Sequence, residues 1–348
     1  MERRSFLLGC SVLGSLSLSG LPGLAQPSPA RASGSPLCQG WETFAGAFLQ
    51  PDGRIVDTGN QGITHTEALG VAMLAAQACN DRPRFDKIWT FAQQLRRPDG
   101  LFSWKWVPGK GIADVNNATD GDLYIAWALC RAGQRWNDRA LLAAAGQLAQ
   151  AVRNNCQVQA PAGHVLLPGT QGFIVKSAMG VERAVVNPSY FVFPAFRDLA
   201  QVDPSPVWET LFKDGLTVID ASRNGPLGLP ADWVLLDDPV TPWRDRPARF
   251  GYEAIRIPLF LTWAQRTNHP ALRACARYLQ QPGFPAWVAL DGSEKAAYAA
   301  PVGFEAIARL TRKAVYGMPV SLPAVSGDYF SSSLVLLSLL AATDLGWA

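Results

Sequence analysis

Apolar residues recur at helical spacing in eleven stretches of this 348-residue chain, and strand-like alternation is rare. The stretches lie near 39–48, 65–79, 83–96, 119–133, 138–154, 188–200, 205–222, 251–267, 270–280, 294–312 and 329–345. Between them stand clusters such as Pro98-Asp99-Gly100 and Pro108-Gly109-Lys110-Gly111, which are turn chemistry. About eleven helices without a break in composition predict an all-α domain, either a toroid of paired helices or a solenoid, and periodicity alone does not separate the two. With 48% hydrophobic residues the chain can bury a large core, and a net charge of +3 supplies no basic tail for nucleic acid. Twelve Trp, seven Tyr and sixteen Phe exceed what a plain core needs and suit a ligand with flat apolar faces.

Residues 1–25 read as an export signal: Arg3 and Arg4, an apolar stretch from Phe6 to Leu24, and small residues before Gln26. The order Arg3-Arg4-Ser5-Phe6-Leu7 also resembles the twin-arginine pattern, with Sec export as the alternative. Leu7-Leu8-Gly9-Cys10 has the form of a lipoprotein box but stands too close to the arginines. Residues 26–36 read as a flexible Pro/Ser/Ala-rich leader and residues 37–348 as a single domain, expected in the periplasm or outside the cell. The apolar run Leu334 to Ala342 is broken by Ser338 and far too short to span a membrane. Behind the signal Cys38, Cys79, Cys130, Cys156 and Cys275 are odd in number and irregular in spacing, so no disulfide framework is expected. Cys79 and Cys130, inside apolar helical patterns, are read as buried free thiols. With three His in the chain and no Cys/His cluster, neither a metal nor another cofactor is expected.

Three segments place polar residues directly before strongly apolar helices: His65-Thr66-Glu67, Ala118-Thr119-Asp120-Gly121-Asp122 and Arg249-Phe250-Gly251-Tyr252-Glu253. A helix that is apolar around most of its circumference is an inner helix, so these carboxylates are expected to cluster at one mouth of the assembly. Taken singly, each is equally an N-cap or first-turn acid stabilising a helix start.

The run Ala118-Thr119-Asp120-Gly121-Asp122-Leu123-Tyr124-Ile125-Ala126-Trp127, continuing to Trp136, resembles the signature of family-8 glycoside hydrolases, the bacterial endoglucanase family once called cellulase family D. It departs chiefly at Cys130, where an aliphatic residue or Gly is usual. Thr66-Glu67-Ala68-Leu69-Gly70 is similar to the family segment whose Glu is the general acid, and Asn187-Pro188-Ser189-Tyr190 to its NPSY segment. Asp99-Gly100-Leu101-Phe102-Ser103-Trp104-Lys105-Trp106 resembles the loop of stacking tryptophans, and Arg249-Phe250-Gly251-Tyr252-Glu253-Ala254-Ile255-Arg256 the helix start that carries the base. Glu253 stands where the family has Asp, one methylene shorter. Some branches take the base from the preceding loop, which here offers Asp232, Asp237, Asp238 and Asp245.

The resemblance implies an (α/α)6 toroid and an inverting hydrolysis of internal β-1,4-glucan bonds, with Glu67, Asp120 and Glu253 as the catalytic set. Inversion needs an acid and a base about 6.5 to 9.5 Å apart with water between the base and the sugar. Burial against apolar neighbours such as Ala68 and Leu69 is expected to keep Glu67 protonated. Arg249, Arg256 and Tyr hydroxyls are expected to hold Glu253 ionised, and Asp120 to hold the distorted ring through a hydroxyl. Trp104, Trp106, Tyr190, Asp232, Trp233, Arg249, Tyr252 and Arg256 are the expected substrate-binding residues, and Trp243 is a further stacking candidate. Trp127 is read as core and Asp122 as a capping or salt-bridge residue. The expected partner is the β-1,4-glucan polymer, cut by a monomer, with functional association with a cellulose synthase complex drawn by analogy. The alternatives are a chitosanase, licheninase or xylan-directed hydrolase of the same family, and, from another class, a catalytically weak glucan-binding protein.

Overall fold

The computed structural model describes residues 34–176 and 180–348. The export signal, and all but the last residues of the leader, lie outside the described residues.

Eleven α-helices occur among the described residues: α1 Pro36–Phe48, α2 Thr66–Ala78, α3 Arg82–Gln93, α4 Thr119–Arg135, α5 Arg139–Cys156, α6 Phe193–Val202, α7 Val207–Ala221, α8 Arg256–Trp263, α9 Pro270–Leu279, α10 Val302–Tyr316 and α11 Tyr329–Asp344. Helices α2, α4, α6, α8 and α11 pack in sequence and close into a ring through α11 against α2. Every residue of α8 is buried, as are nearly all of α2, α4 and α11. Two Ser hydroxyls in α11 stay inside by bonding back along the helix, Ser333 Oγ to Phe330 O and Ser338 Oγ to Leu334 O, both at 2.8 Å. Helices α1, α3, α5, α7, α9 and α10 back this ring and bury one stripe each, the division expected of inner and outer layers. The architecture is the (α/α)6 toroid.

Three helix boundaries differ from the periodicity. The stretch near 188–200 opens with a 3-10 turn, Pro188–Tyr190, because Pro194 suits only the first turn of α6, where its missing N–H is no loss. The stretch near 251–267 becomes helical only at Arg256. The stretch near 294–312 starts at Val302, since Pro301 stands at the cap and the chain before it turns repeatedly through Gly283, Pro285 and Gly292. Short antiparallel strands, the longest among the described residues five residues, join the helices, among them Lys105–Val107 with Gly111–Asp114 and Ile174–Lys176 with Glu182–Val186.

The cysteine reading needs a correction. Cys38 in α1 and Cys79 at the C-cap of α2 form a disulfide, with Cα atoms 5.4 Å apart. Cys79 follows the last residue of α2, and the packing of α1 on α2 brings together two cysteines 41 residues apart. Cys130, Cys156 and Cys275 are buried free thiols. Trp127 is in the core, donating from Nε1 to Asp198.

Candidate active site

The site is assembled where α2 and α4 begin. Gly70 and Gly121 allow the close crossing: a Cβ at Gly121 would lie 2.1 Å from Thr66 Oγ1, and one at Gly70 would lie 2.4 Å from Tyr124 Cβ. That approach sets Glu67, in the first turn of α2, beside Asp120, in the first turn of α4. His65 caps α2 by accepting the Ala68 N–H on Nδ1, which directs Nε2 to Asp57 at 3.5 Å. The Thr66 N–H goes to Trp104 O at 3.1 Å, pinning the tryptophan loop to the start of α2.

The third arm comes from the start of α8. Arg256 is 4% exposed and ties the carboxylates together: Nη1 donates to Glu67 Oε1 at 2.6 Å and lies 3.6 Å from Asp120 Oδ2, while Nη2 donates to Glu253 Oε2 at 2.6 Å. Asn187 Nδ2 gives Glu253 Oε2 a second hydrogen bond at 2.9 Å, and the guanidinium lies over the Tyr190 ring at 5.8 Å. Burial works against the Arg256 charge, but Glu67, Glu253 and Asp120 outweigh it and hold the group firmly protonated. Burial, reinforced by Glu67 and Glu253 and opposed by Arg256, pushes the Asp120 carboxyl up to about 7. The deeply buried acid is thus Asp120; the Glu67 side chain keeps 17% exposure and an arginine contact instead of an apolar pocket.

The carboxylates open into a cleft of about 460 Å³ lined by Trp104, Tyr190, Trp233 and Phe173, with polar groups from Asn60, Asp114, Asn116 and Arg246. Phe173 and Trp233 lie parallel, 6.0 Å apart, and Tyr190 leans on Trp233 at 6.4 Å. Ring faces around a cluster of carboxylates suit a pyranose chain, whose C–H faces are apolar and whose hydroxyls point to the rim.

Several predicted residues stand elsewhere. Trp106 packs edge-on against Phe91 and under Arg54, because an irregularity between Lys105 and Trp106 breaks the alternation that would have set it beside Trp104. Asp232 does not line the cleft. Its Oδ1 accepts the N–H groups of Gly251 and Ala254, both at 2.9 Å, and Oδ2 accepts Arg249 Nε at 3.1 Å. It therefore clamps the turn that carries Glu253, and by taking those N–H groups it delays the start of α8. Burial pushes Asp232 up to about 6 despite the Ala254 N–H and Arg249. Arg249 is consumed by this clamp and lies over Trp287 at 5.7 Å, so Asn187 and not Arg249 or a tyrosine hydroxyl joins Arg256 on Glu253. Tyr252 bonds Tyr298 through its hydroxyl at 3.1 Å and lines a neighbouring cavity with Phe330 and Asp328. Trp243 packs against Trp233 from behind, Asp237 pairs with Arg183, and Asp238 and Asp245 are exposed. Among the described residues no three His, Cys, Asp or Glu side chains group as metal ligands.

Phe173, Asn187, Asn116, Asp114 and Arg246 were not singled out from sequence. Asn187 opens the NPSY segment and could have been read from it; Asp114 ends a four-residue strand, and Phe173, Asn116 and Arg246 sit in irregular loops that carry no periodic signal.

Comparison with known proteins agrees with this fold. A profile described as Glycosyl hydrolases family 8 matches residues 24–344. An endoglucanase of Cellulomonas uda is 38% identical over 281 residues, covering 78% of this chain and 76% of its own. A solved family 8 endoglucanase of Klebsiella pneumoniae superposes with a TM-score of 0.82 at 38% identity, over 88% of this chain and 99% of its own. An endo-beta-1,4-glucanase of Acetobacter xylinum gives 0.83 at 33% identity, over 89% and 99%.

Proposed function

The chain belongs to glycosyl hydrolases family 8, and on that premise we propose that it is an exported endo-β-1,4-glucanase that cuts internal bonds of cellulosic chains with inversion. One observation carries the reading: a single buried guanidinium, Arg256, gathers Glu67, Asp120 and Glu253 at the floor of an aromatic cleft. Glu67, held by Arg256 through Oε1, presents its other oxygen to the leaving glycosidic oxygen and delivers the proton there as the general acid. Glu253, held through Oε2 by Arg256 and Asn187, turns Oε1 to a water and takes its proton as the water attacks the anomeric carbon from the opposite face. The bond to the leaving oxygen breaks as the new C–O bond forms, and the two glutamates end with their protonation states exchanged. Asp120 holds a hydroxyl of the distorted ring between them. Substrate chains lie along Trp104, Tyr190, Phe173 and Trp233. The Cys38–Cys79 disulfide fits an oxidising compartment outside the cytoplasm, in keeping with the arginine-led apolar N-terminus. Service to a cellulose-synthesising system belongs to the same reading by analogy.

Reducing-sugar release by the wild type from carboxymethylcellulose, chitosan, mixed-linkage glucan and xylan tests the substrate, with proton NMR of the first product for its anomer. Carboxymethylcellulose is expected to be cut fastest, giving the α-anomer first. Preference for chitosan or xylan, or a β-anomer first, would overturn the reading; cleavage of none of the four would favour a glucan-binding protein.

A further inference from the structure

Asp122 lies two residues beyond Asp120 on α4 and is fully buried behind the cleft wall. Its neighbours in the signature have separate tasks. Thr119 donates its hydroxyl to Leu167 O at 2.6 Å and its N–H to Pro168 O at 2.9 Å, Asp120 meets Arg256, and Gly121 admits Thr66. The Asp122 carboxylate accepts the Phe102 N–H on Oδ1 at 3.0 Å and Asn117 Nδ2 on Oδ2 at 2.9 Å. Asn117 is locked in that orientation, because its Oδ1 accepts the Thr170 N–H at 2.8 Å. Phe102 stands two residues before Trp104, whose N–H goes to Asn116 O at 2.9 Å, and Thr170 stands three before Phe173. One carboxylate thus joins three irregular segments that end in cleft-lining residues: the 99–104 loop, the 114–118 approach to α4 and the 167–173 loop. Loops without a ladder of their own keep a fixed spacing only through such ties, and each buried donor left over would go unpaired if the tie were cut.

We propose that Asp122 is a positioning residue for the sugar-binding wall: acting through Phe102 and Asn117, it sets the placement of Trp104 and Phe173 without touching the substrate. This rests on the polysaccharide-cleaving reading above and adds a determinant of how tightly the sugar chain is held on the aromatic wall. Stacking that is equal in ground and transition states contributes uniform binding, so its loss raises KM and leaves kcat.

Asp122→Asn keeps the volume but turns an amide donor toward the Asn117 donor, breaking one arm of the tie. With short and long soluble β-1,4-gluco-oligosaccharides at a temperature well below Tm, KM for the long ones is expected to rise about tenfold or more, with kcat within about threefold. The reciprocal pair Asp122→Asn with Asn117→Asp restores the pattern: the new amide donates to the new carboxylate, which still accepts the Thr170 N–H, and the Phe102 N–H keeps its acceptor. That double variant is expected to recover KM to within about threefold of wild type, and it carries the test if the single variant does not fold. A lowered Tm with unchanged KM, a loss confined to kcat, or a folded double variant that fails to recover would each overturn the proposal. Wild type that neither cuts nor binds these oligosaccharides overturns the functional reading and this one with it, whereas wild type that cuts them while Asp122→Asn keeps its KM overturns this one alone.

Discussion

Replacing Gly70 by alanine forces apart the two helices that present Glu67 and Asp120. The added Cβ would stand 2.4 Å from Tyr124 Cβ, 2.8 Å from Ile125 N and 2.9 Å from Tyr124 C. Ordinary contact is about 3.5 to 4.0 Å, and none of these atoms can rotate away, so α2 and α4 must separate by roughly 1 Å. Overpacking of this kind costs about 1 to 3 kcal/mol, and a gap of that size also forfeits a quarter to a half of each contact along the crossing. Against this, alanine gains about 1 kcal/mol of helix propensity over glycine. The net expectation is a loss of about 2 kcal/mol and, for a domain of this size, a Tm lower by roughly 3 °C. Activity should fall further than stability does. Glu67 and Asp120 share Arg256 across this crossing, and a 1 Å misplacement costs on the order of a hundredfold in rate. Gly46, on the exposed face of α1 with nothing within 4 Å of its Cβ position, is the control: Gly46→Ala should raise stability by up to about 1 kcal/mol and leave activity alone. Circular dichroism melts and initial rates on carboxymethylcellulose measure both effects. Gly70→Ala with wild-type Tm and rate would refute the reasoning, because the crossing would then have room that the structure denies it.

Asp232→Asn and Asp232→Ala separate a clamp from a base. Asn keeps an acceptor for the Gly251 and Ala254 N–H groups but turns an amide donor toward Arg249 Nε, so stability should fall by about 1 to 3 kcal/mol while the Glu253 turn stays held and substantial activity remains. Ala leaves two buried donors unpaired and should cost about 2 to 6 kcal/mol in chemical denaturation, with a slower enzyme as the Glu253 turn loosens. Abolished activity in a fully folded Asp232→Asn would show that Asp232 itself acts on water. Removing the disulfide with Cys38→Ser and Cys79→Ser opens a loop with ends 41 residues apart, which should cost about 4 kcal/mol and lower Tm by roughly 6 °C; an unchanged melt would contradict the pairing. Burial, set against hydrogen bonds from Asn117 and Phe102, pushes the Asp122 carboxyl up to about 7. The folded protein then holds a proton that the unfolded chain releases near its ordinary value, so this group's contribution to stability falls as pH rises from about 4 to about 7 and is flat above. The difference in unfolding free energy between wild type and Asp122→Asn should slope that way, by up to about 1.4 kcal/mol per pH unit, and a flat difference would contradict it.

The helices were legible because each needs an apolar face, and the spacing of that face survives in the sequence without any knowledge of its partner. The boundary near Glu253 was not, because it is set by Asp232, a residue distant in sequence that takes the N–H groups α8 would otherwise use. Trp106 was misplaced for a related reason: alternation puts it beside Trp104, and a single irregularity in a three-residue strand undoes that. Glu67, Asp120 and Arg256 could be found from their motifs. That one guanidinium would join them, or that Asn187 would complete the hold on Glu253, depends on how three helix starts meet and is written in no one segment. The disulfide escaped for the same cause, since an odd cysteine count says nothing about which helix ends touch.

The central claim is that Glu67 and Glu253, held by one arginine, are the acid and the base of a glycosidic hydrolysis. Its most direct test is the initial rate of carboxymethylcellulose cleavage by Glu67→Gln and Glu253→Gln, each checked for a wild-type melt. Both should lose activity by a factor of about a hundred to ten thousand, the usual worth of a general acid or base. A folded Glu253→Gln that cuts at near the wild-type rate would contradict the account and move the base elsewhere.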